Sequence, residues 1–425
     1  MLIRLNCINL IFLSATSYTN KVKMNNLLFL IINFLLLFEL GCATKQVSDT
    51  SSTQKKQLSP AVERIMVGAE QFDQYLPLLK GKKVGLIVNQ TSVVNKTFLL
   101  DTLISRGVNV IKIFAPEHGF RGKADAGEKV NNETDSKTGL PIISLYGPNK
   151  KPSKTQLGDL DIIIFDIQDV GARFYTYIST MHYAMEACAE NNKMLVVLDR
   201  PNPNGHYIDG PILQKEYKSF VGMHPIPIVH GCTVGELAQM INGEKWLDTS
   251  GICDLKVVQV KNYTHKTSYS LPIKPSPNLP NDQAINLYPS LGIFEGTNIS
   301  VARGTLFPFQ AIGSPNPANG SFTFTPVSIE GMSKNPPHEN KLCYGIDLRS
   351  EPRASGINLS YIIKMYQASE DKEKFFNNFF KKLAGNETLQ KQIAAGKSEK
   401  EIKDSWSGEL ANYRKIRDKY LLYRD

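Results

Sequence analysis

Cysteine is scarce in this chain, and its spacing matches no familiar metal or redox motif. Six cysteines occur among 425 residues, and no two of them form a CxxC pair. We predict that the four cysteines after the N-terminal leader are small buried side chains: Cys188, Cys232, Cys253 and Cys343. The sequence therefore predicts neither a disulfide framework nor a cysteine-ligated metal. A single bridge between Cys232 and Cys253 is the alternative.

The short motifs of several enzyme classes are also missing. No GxGxxG or Walker A loop follows a predicted strand, so the glycine-rich cradle of a dinucleotide, nucleotide or phosphate-ester site is absent. The lack of a GxSxG elbow argues against an α/β-hydrolase. No HExxH occurs, and His182 with Glu186 one helical turn later is a weak metal signal. We therefore predict an activity that uses no metal and no cofactor.

Dense basic tracts are not a feature of this sequence either. Lysine and arginine number 49 against 40 acidic residues, which gives a net charge of +9. Because these cations are scattered, they predict a solvated basic surface and no nucleic-acid partner. Attraction of an anionic substrate is the alternative explanation for the excess.

The N-terminal sequence has the pattern of an export signal. An apolar segment, Asn25–Gly41, leads to Cys42 and then to a stretch rich in Ser, Thr, Lys and Gln. The segment is short for a membrane span and is typical of a signal peptide. We predict a signal peptide over residues 1–41, a lipidated Cys42 and a polar tether over 42–61, which gives a periplasmic, membrane-anchored lipoprotein. Ordinary cleavage near Ala43 or Thr44, and a true start at Met24, are alternatives.

Four short apolar runs each stop at polar residues suited to binding or acid–base chemistry. They are typical of strands buried on both faces of a parallel sheet: Lys83–Asn89, Val110–Ala115, Ile162–Asp166 and Met194–Asp199. In open α/β sheets, ligands bind beyond the carboxyl ends of the strands. The pattern predicts one shared site that includes Asn89, Gln90, Glu117, His118, Asp166, Gln168, Asp199 and Asn202.

Predicted strands and helices alternate up to about Asn262–Pro272, after which the sequence becomes rich in proline. Repeated βα units predict a Rossmann-like α/β domain with a parallel sheet over residues 62–267. A smaller α+β domain is predicted over 268–425. Expected helices lie at Thr97–Arg106, Tyr177–Asn191, Thr233–Gly243, Leu359–Ala368, Lys372–Ala384 and Glu409–Leu422, and a strand region at Gly345–Leu359.

The densest chemically active stretch is Ala115–Gly127 (APEHGFRGKADAG). Glu117 lies there among apolar neighbours, and loss of water around a carboxyl group favours its protonated form. A protonated carboxyl at a sheet edge suits general acid catalysis. The alternative is a loop carboxylate paired with Arg121. His118 is either a second catalytic residue or a neutral hydrogen-bonding neighbour.

Further candidate groups follow in both parts of the chain. Arg173 offers a planar fork for a carboxylate, and Tyr175 offers a ring that stacks on a sugar. An internal Asp–Arg pair is an equal alternative for this loop. In the C-terminal part, Glu295 and Arg303 lie among glycines and aromatic residues. Carboxylates from two domains facing one cleft suit glycoside cleavage, although Glu295 has the alternative of bonding only substrate hydroxyls or Arg303.

At these residues the chain resembles bacterial exported exo-β-N-acetylmuramidases, which remove N-acetylmuramic acid from the non-reducing end of peptidoglycan fragments. The matching stretches cover nearly everything from Val62 to the C-terminus: VGLIVNQTSV (Val84–Val93), IFAPEHGFRG (Ile113–Gly122), TGLPIISLYG (Thr138–Gly147), FDIQDVGARFYTY (Phe165–Tyr177) and LDRPNPNG (Leu198–Gly205), with SPNLP, FEGTN and RGT further on. The resemblance implies a Rossmann-like N-terminal domain, a smaller C-terminal domain and a pocket between or beside them.

The resemblance also implies roles for single residues. The glutamate of the PEHGF motif is the proposed catalytic acid of the family, which maps onto Glu117. Muramic acid carries a lactyl carboxylate, so the pocket needs a cation, for which Arg173 and Arg303 are the candidates and Arg121 the third. A peptidoglycan-binding lipoprotein without activity is the alternative function. The second catalytic group is left open among Asp166, Asp169, Asp199 and Glu295.

Overall fold

The computed structural model describes residues 63–117, 119–120 and 132–424. From Glu63 onward the chain forms one compact unit, and the predicted boundary between residues 267 and 268 stays a prediction. The predicted leader with Cys42, and the loop residues His118 and Arg121, lie outside the described residues. Within the described ranges, no helix combines the length and the apolar character needed to span a bilayer.

The described residues of the N-terminal part contain nine strands: β1 (Val84–Val88), β2 (Val93–Val94), β3 (Thr97–Phe98), β4 (Val110–Ala115), β5 (Glu133–Thr134), β6 (Pro141–Ser144), β7 (Ile162–Asp166), β8 (Met194–Leu198) and β9 (Asp254–Val258). Seven of them form one sheet in the order β5-β6-β4-β1-β7-β8-β9. Every neighbouring pair in it is parallel except β5 with β6. The four predicted apolar runs are therefore adjacent parallel strands.

Helices α1 (Phe72–Leu79), α2 (Leu99–Ser105), α3 (Lys154–Leu157), α4 (Tyr177–Glu190) and α5 (Val234–Gly243) accompany this sheet. Alternate residues of the strands join two separate hydrophobic clusters, so each face of the sheet has its own core. Thr233 accepts a hydrogen bond from the Glu236 amide and begins α5, as its capping-box spacing predicts. Helix α2 begins later than predicted because Thr97 and Phe98 pair with β2.

The C-terminal part contains β10 (Ala311–Ser314), β11 (Phe322–Phe324) and β12 (Cys343–Asp347), which form an antiparallel sheet in the order β10-β12-β11. Its helices are α6 (Asp282–Leu291), α7 (Ser360–Ala368), α8 (Asn378–Ala384), α9 (Thr388–Ala394) and α10 (Glu399–Arg417). Helix α10 begins ten residues before its predicted start because Ser398 and Glu401 form a capping box there. The four described cysteines are buried and free, so the Cys232–Cys253 alternative is wrong.

Candidate active site

Loops at the carboxyl ends of β4, β6 and β7 meet the C-terminal part around a cavity of about 590 Å³. This volume lies in the range of small-molecule sites. Parallel strands bring their carboxyl ends to one edge of a sheet, which explains why residues from three separate loops meet there. We call it the Glu117 cavity; its walls include Glu117, Tyr146, Lys150, Tyr175, Thr176, Tyr177, Phe220, Tyr288, Glu295, Arg303 and Phe309.

Glu117 lies half-buried two residues after β4. The Thr176 hydroxyl donates a hydrogen bond to Glu117 Oε2 at 3.0 Å. Because Thr176 is the N-cap residue of α4, the carboxyl group also lies near the partial positive charge at the start of that helix. The Tyr146 hydroxyl is close as well, since burial and then the Glu117 charge raise the pKa of Tyr146. Glu117 is thus held in one orientation at the cavity wall.

Three tyrosines form an aromatic wall of the cavity. The ring centres of Tyr175 and Tyr177 are 5.0 Å apart, and those of Tyr175 and Tyr288 are 5.8 Å apart, in edge-to-face geometry. The Tyr175 hydroxyl donates to the Pro275 carbonyl at 2.8 Å, which ties the ring to the loop before α6. Because neighbouring rings meet nearly at right angles, the wall presents both ring faces and ring edges, against which a sugar can pack.

Glu295 and Arg303 form an ion pair that also lines the Glu117 cavity. Glu295 Oε1 accepts from Arg303 Nε at 2.8 Å and lies 2.7 Å from its terminal nitrogen. The Arg303 guanidinium also lies 5.0 Å from the centre of the Phe309 ring. The alternative in which Glu295 bonds Arg303 is therefore what the structure contains.

Asp169 is a buried carboxyl group close to the tyrosine wall. Its Oδ1 accepts from the Gly171 amide at 2.7 Å, whereas its Oδ2 has no hydrogen-bond partner among the residues that the structure describes. Burial raises the pKa of Asp169 to about 7, and burial together with a smaller effect of the Asp169 charge raises the pKa values of Tyr175 and Tyr288. A carboxyl group of this kind changes protonation near neutral pH.

Comparison with known proteins gives the family. Two family models, described as the N-terminal and C-terminal parts of the exo-beta-N-acetylmuramidase NamZ, match residues 84–283 and 286–423. The chain belongs to the exo-β-N-acetylmuramidase family. Within it, the peptidoglycan beta-N-acetylmuramidase NamZ of Bacillus subtilis (strain 168) is 39% identical over 423 residues, which cover 94% of this chain and 100% of that protein. The family predicted from the motifs is confirmed.

Two solved structures resemble this muramidase-family chain. Both are DUF1343 family proteins from Bacteroides fragilis NCTC 9343. One is 50% identical with a TM-score of 0.79, covering 85% of this chain and 100% of its own. The other is 32% identical with a TM-score of 0.73, covering 86% and 100%. The predicted α/β fold class is confirmed.

The cavity of this muramidase-family chain brings together four of the predicted site residues: Glu117, Tyr175, Glu295 and Arg303. Four predicted amide residues do not line it, because their side chains bind neighbouring loops. Asn89 accepts from the Thr91 amide, Gln90 donates to Pro275, Gln168 donates to Pro201, and Asn202 donates to Cys232. We therefore assign these amides to loop support and not to substrate contact.

Arg173 is wholly buried and does not line the cavity. Its two terminal nitrogens donate to four backbone carbonyls, at 2.6 to 3.0 Å, on residues far apart in the chain: Pro211, Ile226, Leu383 and Ala384. Every one of these acceptors is neutral and main-chain. The expectation that Arg173 binds a substrate carboxylate is corrected accordingly, since the side chain is buried away from the cavity and both terminal nitrogens bind main-chain carbonyls.

Asp166 and Asp199 also lie away from the cavity. Asp166 forms a two-point ion pair with Arg200, at 2.6 and 2.9 Å. Asp199 accepts from the Thr233 hydroxyl at 2.6 Å, and it accepts from the Gly235 amide and the Tyr423 hydroxyl as well. Both carboxyl groups are fully buried and bonded within the protein, so their assignment as catalytic residues is corrected to a structural role.

Several cavity residues were not among the predicted site residues. Tyr146 and Lys150 follow the short strand β6, whose four residues were too few to stand out as an apolar run. Thr176 lies between Tyr175 and Tyr177, and a lone threonine carries no sequence signal of its own. The sequence does contain a signal for this loop: the family-like stretch TGLPIISLYG includes Tyr146 and ends at Gly147, three residues before Lys150.

One cluster in the described part of the chain has ligand-like spacing. His182, Glu186 and Asp248 bring potential ligand atoms within 4.8 Å of one another. Lys151 Nζ already lies 3.2 Å from Glu186, and Lys218 Nζ lies 2.7 Å from Asp248. Because two ammonium groups supply positive charge there, the cluster fits a closed network of ion pairs better than a metal site.

Proposed function

We propose that this protein is an exo-acting glycoside hydrolase that releases N-acetylmuramic acid from the non-reducing end of peptidoglycan fragments. The observation that carries the proposal is the position of Glu117, which faces a cavity of about 590 Å³ beside a wall of tyrosines. Membership of the exo-β-N-acetylmuramidase family supports the same activity. A cavity of this volume suits a terminal sugar and its substituents.

In this proposal Glu117 acts as the general acid. It donates its proton to the glycosidic oxygen while the bond to the sugar breaks and positive charge develops on the ring, so that N-acetylglucosamine leaves as an alcohol. A water molecule adds to the anomeric carbon and gives up a proton, which completes free N-acetylmuramic acid and restores the protonated acid. The hydrogen bond from Thr176 holds the carboxyl group in place during transfer. The tyrosine wall stacks against the sugar, and the Glu295–Arg303 pair offers polar contacts to its hydroxyls. His118 stays a prediction as an assisting residue.

Incubation of the purified protein with the disaccharide of N-acetylmuramic acid β-linked to N-acetylglucosamine tests the proposal. We expect equimolar release of both free sugars, detected by mass spectrometry. Tight binding of the disaccharide without release would instead favour a peptidoglycan-binding lipoprotein. Internal cleavage of long glycan strands, without free N-acetylmuramic acid, would contradict the exo mode.

We also propose that the protein is exported and anchored in a membrane through a lipid on Cys42. The support is the leader itself, with an apolar segment directly before Cys42 and a polar tether after it. Two acyl signals, or one with additional contacts, are needed for stable anchoring. The proposal places the enzyme where peptidoglycan fragments are produced.

Replacing Cys42 with alanine is expected to abolish incorporation of labelled palmitate and to move the protein from the membrane fraction to the soluble fraction of cells. Cys7→Ala, at the other leader cysteine, is the matched control and should keep both properties. If the wild-type protein incorporates no labelled palmitate and is found in the soluble fraction, Cys42 is not lipidated.

A further inference from the structure

The preference for muramic acid requires a cation at the cavity wall. N-acetylmuramic acid differs from N-acetylglucosamine by its lactyl group, which ends in a carboxylate. The two arginines predicted to read this carboxylate are already engaged. Arg173 is buried and donates to four carbonyls, and Arg303 is paired with Glu295. The third candidate, Arg121, lies outside the described residues, so among the described residues an unpaired positive charge has to come from another side chain.

Lys150 lines the Glu117 cavity from the loop after β6. Its ammonium group lies 5.0 Å from the centre of the Phe220 ring, which also lines the cavity. Among the described residues, no carboxylate lies within ion-pair distance of Lys150 Nζ, whereas the next residue, Lys151, pairs with Glu186 and Glu190. Lys150 therefore brings an uncompensated positive charge to the cavity that also contains Glu117.

The surroundings of Lys150 favour a carboxylate ligand. The Phe220 ring covers one side of the ammonium group. Phe220 itself stacks nearly parallel to Tyr183, with 6.2 Å between the two ring centres, and this contact holds the Phe220 ring in position. An ammonium group against an aromatic face keeps its remaining N–H groups available for a second partner. Hydrogen bonds between such a cation and a carboxylate are among the stronger ones in proteins.

We propose that Lys150 binds the lactyl carboxylate of N-acetylmuramic acid and thereby sets the preference for muramic acid over N-acetylglucosamine. This inference rests on the proposed function and names the residue that selects the substrate. Lys150 is a specificity residue in it: the charge pair holds the terminal sugar, whereas Glu117 carries out the proton transfer.

Steady-state kinetics of Lys150→Met test the inference with three chromogenic β-glycosides: N-acetylmuramide, its lactyl methyl ester and N-acetylglucosaminide. A lost charge-assisted hydrogen bond corresponds to about a 10- to 100-fold change. We expect KM for the muramide to rise by about that factor, with little change in kcat. Activity on the uncharged ester and on the glucosaminide should stay at the wild-type level, and Lys150→Arg should restore most of the preference.

Lys154→Met removes the same charge from an exposed position on α3 and is the matched control, with wild-type selectivity expected. Titration of free N-acetylmuramic acid by calorimetry separates the two proposals. If the wild type binds this sugar but hydrolyses nothing, the proposed function fails, and the loss of affinity in Lys150→Met still supports Lys150. If wild type and Lys150→Met prefer the muramide over its ester equally, the inference on Lys150 is overturned while the hydrolase remains.

Discussion

Replacing Glu117 with glutamine is expected to lower kcat for the natural disaccharide by about 10² to 10⁴, the usual contribution of a general acid. The amide oxygen still accepts the hydrogen bond from Thr176, so the side chain keeps its place and KM should change little. The amide has no acidic proton to give to the leaving alcohol. Release of N-acetylmuramic acid followed over time measures the loss, and binding of the sugar should persist.

The leaving group distinguishes the acid role from any other role of Glu117. A dinitrophenolate departs without protonation, so Glu117→Gln should lose far less activity on a dinitrophenyl muramide than on the disaccharide. Glu133→Gln, at an exposed position of β5, is the matched control and should behave as wild type on both substrates. Equal losses on the two substrates, or retention of more than a few per cent of turnover on the disaccharide, would remove Glu117 from the acid role.

Replacing Arg173 with methionine is expected to lower the free energy of unfolding by about 2–5 kcal/mol, since four buried carbonyls then lose a donor and each one left unpaired costs about 1–3 kcal/mol. The Ile226 carbonyl keeps a second donor, the Leu213 amide at 3.2 Å. The removal of a buried charge offsets part of this loss. The affected carbonyls belong to two regions far apart in the chain, around Ile226 and Leu383. Urea denaturation followed by circular dichroism measures the change.

Two further variants serve as controls for Arg173→Met. Arg349→Met removes an exposed arginine that is paired with Asp347, and its unfolding midpoint should stay near that of the wild type. If Arg173→Met does not fold, Arg173→Lys keeps the charge and some of the bonds. The folded lysine variant should also keep wild-type selectivity for muramic acid, because position 173 does not line the cavity. An unchanged midpoint in Arg173→Met would contradict the proposed stabilisation.

The fold and the position of Glu117 were predictable because both depend on local patterns. Runs of branched apolar residues specify strands buried on both faces, and parallel strands deliver their following residues to one edge. Glu117 and Tyr175 line one cavity for that reason, whereas Glu295 and Arg303 reach it from the C-terminal part. Lys150 was not predicted because β6, before it, is only four residues long and begins with a proline.

The roles of Arg173, Asp166 and Asp199 were not predictable because their partners are distant in sequence. Asp166 lies 34 residues from Arg200, and Arg173 lies about 210 residues from its C-terminal acceptors. A polar residue at the end of a buried strand has the same sequence pattern whether it contacts a ligand or another buried side chain. Only the tertiary structure separates the two cases.

Residues near the C-terminus bind buried carboxyl groups beside the parallel sheet. The Tyr423 hydroxyl donates to Asp199 and accepts from the Val260 amide, while the Leu422 amide donates to Glu236. Asp199 and Glu236 are fully buried beside the parallel sheet. Two buried carboxyl groups of the first half therefore accept hydrogen bonds from residues 186 and 224 positions further along the chain. These contacts couple the stability of the parallel-sheet region to that of the C-terminal segment.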